Sequence, residues 1–226
     1  MVYYIPSEVA NHNHLEDCWV VIRNDVYDLT PLLVKNRGTL IDPIVKMAGQ
    51  DISHWFDANK DIKTHIDPIR QVHVPYLPMG TFLGIPPNDP NSDWDFSESI
   101  PWWKDETFVV GQLSRRTRKI RIMNTLTSTN SILSVCEEHT IRDIQEKYRE
   151  QNSHCESYTW KALQEREEKK SEEEEDPLVF VKLDMDKTLE ENGLKDDSEV
   201  FEELGLNEDE FLPEIFLYFN DDLTEA

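Results

Sequence analysis

Histidine and cysteine are the residue types in this chain best suited to holding a metal, and their spacing limits what they can do. His12, His14 and Cys18 fall within one short stretch, and His154 adjoins Cys155. A closed tetrahedral zinc site takes four such ligands, and neither stretch supplies them. The three cysteines, Cys18, Cys136 and Cys155, are odd in number and show no Cys-x-x-Cys pair. Reduced thiols are therefore expected rather than a disulfide framework. The chain also lacks a Gly-rich phosphate loop and a nucleophile elbow, so no hydrolase or transferase chemistry is expected and it reads as non-enzymatic.

Charge narrows the classes further. The 226 residues carry a formal net charge of -23, which is opposed to the surplus of Lys and Arg that nucleic acid requires. The excess is uneven, with 7 basic against 24 acidic residues from Lys161 onward. No run approaches the roughly 18 to 20 apolar residues of a spanning helix, so no membrane anchor is expected.

The elements that must position any site begin with Tyr3-Tyr4-Ile5, a short apolar strand. Pro6-Ser7-Glu8 then opens a helix, with Ser7 as its expected cap. The β-branched run from Cys18 to Arg23 around Trp19, the turn pair Asn24-Asp25, and Val26-Tyr27-Asp28-Leu29 predict a hairpin. Thr30-Pro31 starts a second helix, where proline's missing N–H costs nothing. Further on, Ala48-Gly49-Gln50-Asp51-Ile52-Ser53 precedes Phe56. These anchors, in this order over residues 1–74, resemble the cytochrome b5 family.

That resemblance implies a haem b pocket, with one axial histidine in the loop after the second helix and the other about five residues past Phe56. Asn36 stands at the first position, within Asn36-Arg37-Gly38-Thr39, and Asp61 at the second. An amide oxygen is a weak ligand for haem iron, whereas a b-type haem takes two imidazoles. His65 reaches such a pocket only if residues 60–64 loop out. Asn36 and His65 are therefore the candidate cofactor residues. The open alternatives are conditional binding of haem through His65 and a pocket without haem.

Residues 75–108 carry six of the twelve prolines together with Trp94, Phe96, Trp102 and Trp103, and read as a connector without regular structure. Aromatics of that size must be buried, either on the connector's own two domains or against a larger assembly.

The second domain is expected over residues 109–226. Lys119 to Met123 alternates, Ser128 to Ser131 turns, and Ile132 to Val135 returns, as in a hairpin. Thr140 with Asp143 caps a helix that buries Ile141, Ile144 and Tyr148. A strand at Ser157 to Trp160, a one-turn helical signal at Thr188 to Leu194, and a last strand at Ile215 to Phe219 complete it. This order resembles the ubiquitin β-grasp, with an acidic insertion near 161–181. The terminal Asp221 to Ala226 carries no Gly-Gly pair, so ubiquitin-type conjugation is not expected. The basic stripe Arg115, Arg116, Arg118, Lys119 and Arg121 reads as a solvated face or blunted edge strand, or else as a contact for an acidic partner.

The expected class is thus α+β. A cytochrome b5-like domain, a Pro/Trp connector and a ubiquitin-like domain together resemble a family of axonemal proteins of motile cilia and flagella. That likeness implies a structural or adaptor subunit with radial spoke partners. The other reading is a haem-binding redox sensor or electron carrier.

Overall fold

The computed structural model describes residues 1–86, 100–165, 178–206 and 212–220. Expectations resting on Trp94 and Phe96, on residues 166–177 of the acidic insertion and on Asp221 to Ala226 lie outside the described residues. The chain divides into two compact units, Met1–Ser114 and Arg115–Ala226.

The first unit runs β1 (Tyr3–Tyr4), α1 (Pro6–Asn11), β2 (Asn13–His14), β3 (Asp17–Ile22), β4 (Asp25–Asp28), α2 (Thr30–Lys35), α3 (Asp42–Val45), β5 (Thr64–Ile66), β6 (His73–Pro75) and β7 (Val109–Leu113). The expected β3/β4 hairpin forms, but its turn pair is Arg23-Asn24 rather than Asn24-Asp25: Asp25 already pairs with Ile22, and Arg23 and Asn24 both take positive φ, the geometry of a primed two-residue turn. Ser7 does not cap α1. Ile5 is the cap residue, and the Glu8 carboxylate accepts its N–H at 2.8 Å.

The sheet order is β1-β7-β4-β3-β2, so β7 is an interior strand of this unit. It runs parallel to β1 and antiparallel to β4. The expected boundary after residue 74, with the second domain starting at 109, is corrected accordingly. The physical reason is at Gly111, where an added Cβ would lie 2.5 Å from the Val2 carbonyl oxygen and 2.7 Å from the Tyr4 ring. Only glycine allows β1 and β7 to approach this closely.

Nor is the Pro/Trp stretch a connector throughout. Phe82, Ile85, Trp102 and Trp103 are buried in the same core as Leu33, Ile44, Ile52, Trp55 and Phe56. Of the two burial sites expected for the connector aromatics, Trp102 and Trp103 take the one within their own chain.

The second unit comprises β8 (Thr117–Asn124), β9 (Thr129–Cys136), α4 (Ile141–Tyr148), β10 (Tyr158–Glu165), β11 (Leu178–Lys182), α5 (Ser198–Glu203) and β12 (Glu214–Phe219). Its sheet order is β11-β10-β12-β8-β9, with β12 parallel to β8 and the other pairs antiparallel. A central parallel pair flanked by two antiparallel ones, with a helix after the first hairpin, is compatible with a β-grasp. Thr140 and Asp143 form the expected reciprocal cap, and Ile141, Ile144 and Tyr148 are buried.

Three details differ from expectation. The block 161–181 is not wholly insertion, because β10 extends to Glu165 and pairs with β11. Among the described residues no helix forms at Thr188 to Leu194; Asn192 Nδ2 instead donates to the Asp184 and Thr188 carbonyls in a compact turn. The basic stripe is not on an edge, since β8 lies between β12 and β9. Arg118 is buried, and its guanidinium donates to the Leu194 carbonyl at 2.9 Å and faces Asp196 at 3.6 Å.

All three cysteines are buried and free. Burial, followed by the charges of Asp28 and Asp17, pushes the Cys18 thiol from its ordinary 9.0 up to about 12. In an unfolded chain this thiol ionises near 9.0, so its contribution to stability is complete below that pH and is lost as pH rises toward 12. A soluble disulfide reagent at pH 8 is expected to leave the folded chain unlabelled and to titrate three thiols after denaturation. Labelling of Cys18 in the folded chain at that pH would contradict its burial.

Candidate functional site

The first place to seek chemistry is the pair of positions where the cytochrome b5 resemblance puts iron ligands. Asn36 terminates α2, and both its backbone N–H (3.1 Å) and its side-chain Nδ2 (2.9 Å) donate to the Leu32 carbonyl. The side chain is thereby turned back onto its own helix. Arg37, Gly38 and Thr39 are exposed.

Asp61 closes a tight turn that excludes the looping-out of residues 60–64. The Asp57 carboxylate accepts the Asn59 and Asp61 amides at 2.8 and 2.9 Å, the Asp57 N–H donates to the Asp61 carbonyl at 2.8 Å, and Lys60 takes φ 59°. The Asp61 carboxylate meets Lys104 Nζ at 2.5 Å. His65 sits on the β5/β6 hairpin opposite Val74, exposed, its ring edge toward Tyr76 at 6.4 Å. The structure therefore does not bring Asn36 and His65 together as ligands on facing sides of a buried pocket.

Residues 82–85 and 102–104 act as a strap linking these positions. The Leu83 N–H donates to the Leu40 carbonyl at 3.1 Å, just past the Asn36 loop. Trp102 Nε1 donates to the Leu83 carbonyl at 2.9 Å, and Lys104 then reaches Asp61. Gly84, at φ +91°, passes over Trp103 so closely that a Cβ would come within 3.0 Å of the indole.

Beneath the strap the aromatic rings interlock. Trp55 stacks on Phe82 at 5.0 Å, Trp102 meets Trp103 edge to face at 5.4 Å, and Phe56 lies 6.0 Å from Trp103. The Tyr27 hydroxyl donates to the Trp103 carbonyl at 3.0 Å and accepts from Lys60 Nζ at 2.7 Å; Lys60 also binds Asp25 at 2.6 Å. Although burial opposes its charge, the hydrogen bonds to Asp25 and Tyr27 hold the Lys60 ammonium above its ordinary range.

These residues do not fit an axially ligated haem. Each side chain at the expected ligand positions is committed to another partner, and aromatic rings fill the core beside them. The buried polar atom left without a partner among the described residues of this core is Trp55 Nε1, an N–H donor with no lone pair to offer iron.

The other candidate stretches are also accounted for. His12 stacks on Trp19 at 3.7 Å, with Nδ1 2.6 Å from Asp17, while Cys18 points into the opposite, fully buried face. Among the described residues no three His, Cys, Asp or Glu side chains converge on a metal position. The strap was missed by sequence reading; the signal available was the buried-type pair Trp102-Trp103 in an otherwise polar stretch.

Residues 6–113 match the family described as Cytochrome b5-like Heme/Steroid binding domain. The match ends within β7, in agreement with the first unit rather than with a boundary at 74. The chain is 48% identical over 225 residues to cytochrome b5 domain-containing protein 1 of Xenopus laevis, covering 99% of this chain and 96% of that protein. It is 46% identical over 225 residues to the Homo sapiens protein of the same name, covering 99% and 92%. A shorter likeness, 41% over 69 residues, joins 30% of this chain to 10% of the L-lactate dehydrogenase (cytochrome) of Saccharomyces cerevisiae.

Proposed function

Because the chain belongs to the cytochrome b5 domain-containing protein 1 family, we propose that it is a non-enzymatic adaptor subunit of the ciliary or flagellar axoneme, associated with radial spoke proteins. The observation that carries the adaptor reading is the filled core of the first unit. Phe82, Trp102 and Trp103 are buried in that core, and Asn36 and Asp61, at the positions where the family resemblance puts axial histidines, are tied into structural bonds. A fold completed by its own aromatics supplies rigid surface, which is what a subunit of a large assembly contributes. The axonemal location draws on the likeness of the two-domain order to ciliary proteins.

A haem-dependent redox role is the second reading, supported by the haem-binding family that residues 6–113 match. One preparation tests both. Purified full chain mixed with haemin is expected to show no Soret band in either oxidation state, and Asn36→His alone is expected to leave that unchanged, because Asp61 and His65 still offer no second axial nitrogen. A band in the parent chain that vanishes in His65→Ala would establish the redox reading instead. Tagged chain expressed in ciliated cells is expected to stay with axonemes after detergent extraction; complete release into the soluble fraction would refute the location.

A further inference from the structure

The sheet of the second unit has one face covered by α4 and one open. By strand register, Lys161, Leu163, Phe180, Lys182, Phe216 and Tyr218 share the open face with two carboxylates, Glu214, which is paired with Arg121, and Glu165 at the far end of β10. Three features converge at its β11 border.

First, β11 ends the sheet, and among the described residues nothing pairs with its outer edge. Edge strands are ordinarily blunted by proline, bulges or charged side chains, lysine above all. β11 reads Leu-Val-Phe-Val-Lys, with neither proline nor bulge and with its one charge at the last residue, and its register to β10 is unbroken.

Second, the side chains beside that edge are apolar and open to solvent. Leu178 is 46% exposed, Phe180 43% and Leu163 41%. Phe180 packs edge-on against Phe216 at 5.1 Å and Tyr218 at 5.6 Å, which sets its ring as a fixed platform.

Third, Lys161 and Lys182 stand directly opposite each other across the β10/β11 ladder. Like charges in that relation are destabilising. Lys161 Nζ rests over the Tyr218 ring at 4.7 Å, and neither lysine has a carboxylate partner among the described residues. In a chain of net charge -23, two opposed lysines that lack a carboxylate partner among the described residues mark a place for a carboxylate.

We propose that β11 receives an extended, acidic segment of a partner protein as a sixth strand. Main-chain N–H and C=O groups of the segment would pair with the outer edge of β11. An apolar side chain would cover Phe180, and a carboxylate two positions along, on the same face, would lie beside Lys182, with Lys161 one strand further in adding to the positive potential there. A second copy of this chain is the alternative occupant, which the concentration dependence below distinguishes. This inference names a partner surface for the adaptor reading and rests on it. Segment binding without axonemal retention would sink only the reading, and retention without segment binding only the surface.

The test uses isotopically labelled full chain and two synthetic ten-residue peptides, one alternating glutamate with valine and one alternating lysine with valine. The glutamate peptide is expected to shift the amide signals of β11 and slow their hydrogen exchange, with affinity falling about tenfold between about 0.05 and about 0.5 M salt. The lysine peptide is expected to do neither. The doubly substituted Lys161→Glu, Lys182→Glu chain should reverse the preference, with its melting curve confirming the fold. Equal binding of both peptides, no change in β11, or β11 shifts that depend on chain concentration without peptide would each overturn the proposal, the last in favour of self-association.

Discussion

A polypeptide ending at Val74 is expected to remain unfolded, whereas one ending at Ser114 is expected to fold cooperatively, as read by amide-proton dispersion and a single sigmoidal urea transition. The shorter chain lacks β7, the strand that joins β1 to β4, so β1 loses its one ladder partner and β4 loses one of its two. It also lacks Phe82, Ile85, Trp102 and Trp103, and thereby uncovers Trp55, Phe56 and Tyr27. Burial of one large apolar side chain is worth roughly 1.5–3 kcal/mol. Four such losses, about 6–12 kcal/mol, are comparable to the whole stability of an ordinary small domain, about 5–15 kcal/mol. A dispersed, cooperative spectrum from the shorter chain would show that the strap merely decorates a complete domain.

Replacement of Trp103 by alanine is expected to destabilise the first unit by about 3–5 kcal/mol, the range for deleting a buried indole. Trp103 is 5% exposed and touches Phe56, Phe82 and Trp102, so the hole cannot be refilled by a small shift of one neighbour. Added indole is expected to restore part of the loss, since an apolar cavity of this kind stays dry and accepts a ring of matching size. Urea denaturation with and without indole measures both effects. A loss under 1 kcal/mol would mean that the core beneath Trp103 is already loose. Haemin binding by this variant would instead show that the ring had been excluding the cofactor.

Much of the local structure was legible because its causes are local. Asn24 supplies the left-handed turn of the β3/β4 hairpin, Pro31 fits the first turn of α2, and Thr140 with Asp143 completes a cap within four residues. Each is a preference of a few neighbouring residues, readable from their types alone. The missing ligand was equally legible, since it is an identity: Asn36 and Asp61 are not histidines.

What escaped the sequence depends on partners far along the chain. β7 joins a strand pair that begins more than eighty residues earlier, at Asp25↔Gln112. Arg118 looked like part of a wet stripe, yet it is buried because β8 is central and Leu194 offers a carbonyl. Leu178 to Lys182 was hidden by its acidic neighbours in sequence, and only pairing with β10 makes it a strand. In each case the deciding contact lies across a long stretch of intervening chain, and composition gives no hint of which distant residue will close it.

The same division applies to the residues around iron's expected place. Residue identities alone show that this chain retains the frame of a cytochrome b5 and lacks its axial histidines. They leave open whether the vacated volume is a cleft, a weak site or solid core. Folding decides that, by bringing Trp102 and Trp103 back beneath Leu83 and Gly84 and against Trp55 and Phe56. The cause is packing density: protein interiors tolerate few voids, and the nearest available apolar volume, although remote in sequence, is this chain's own indoles.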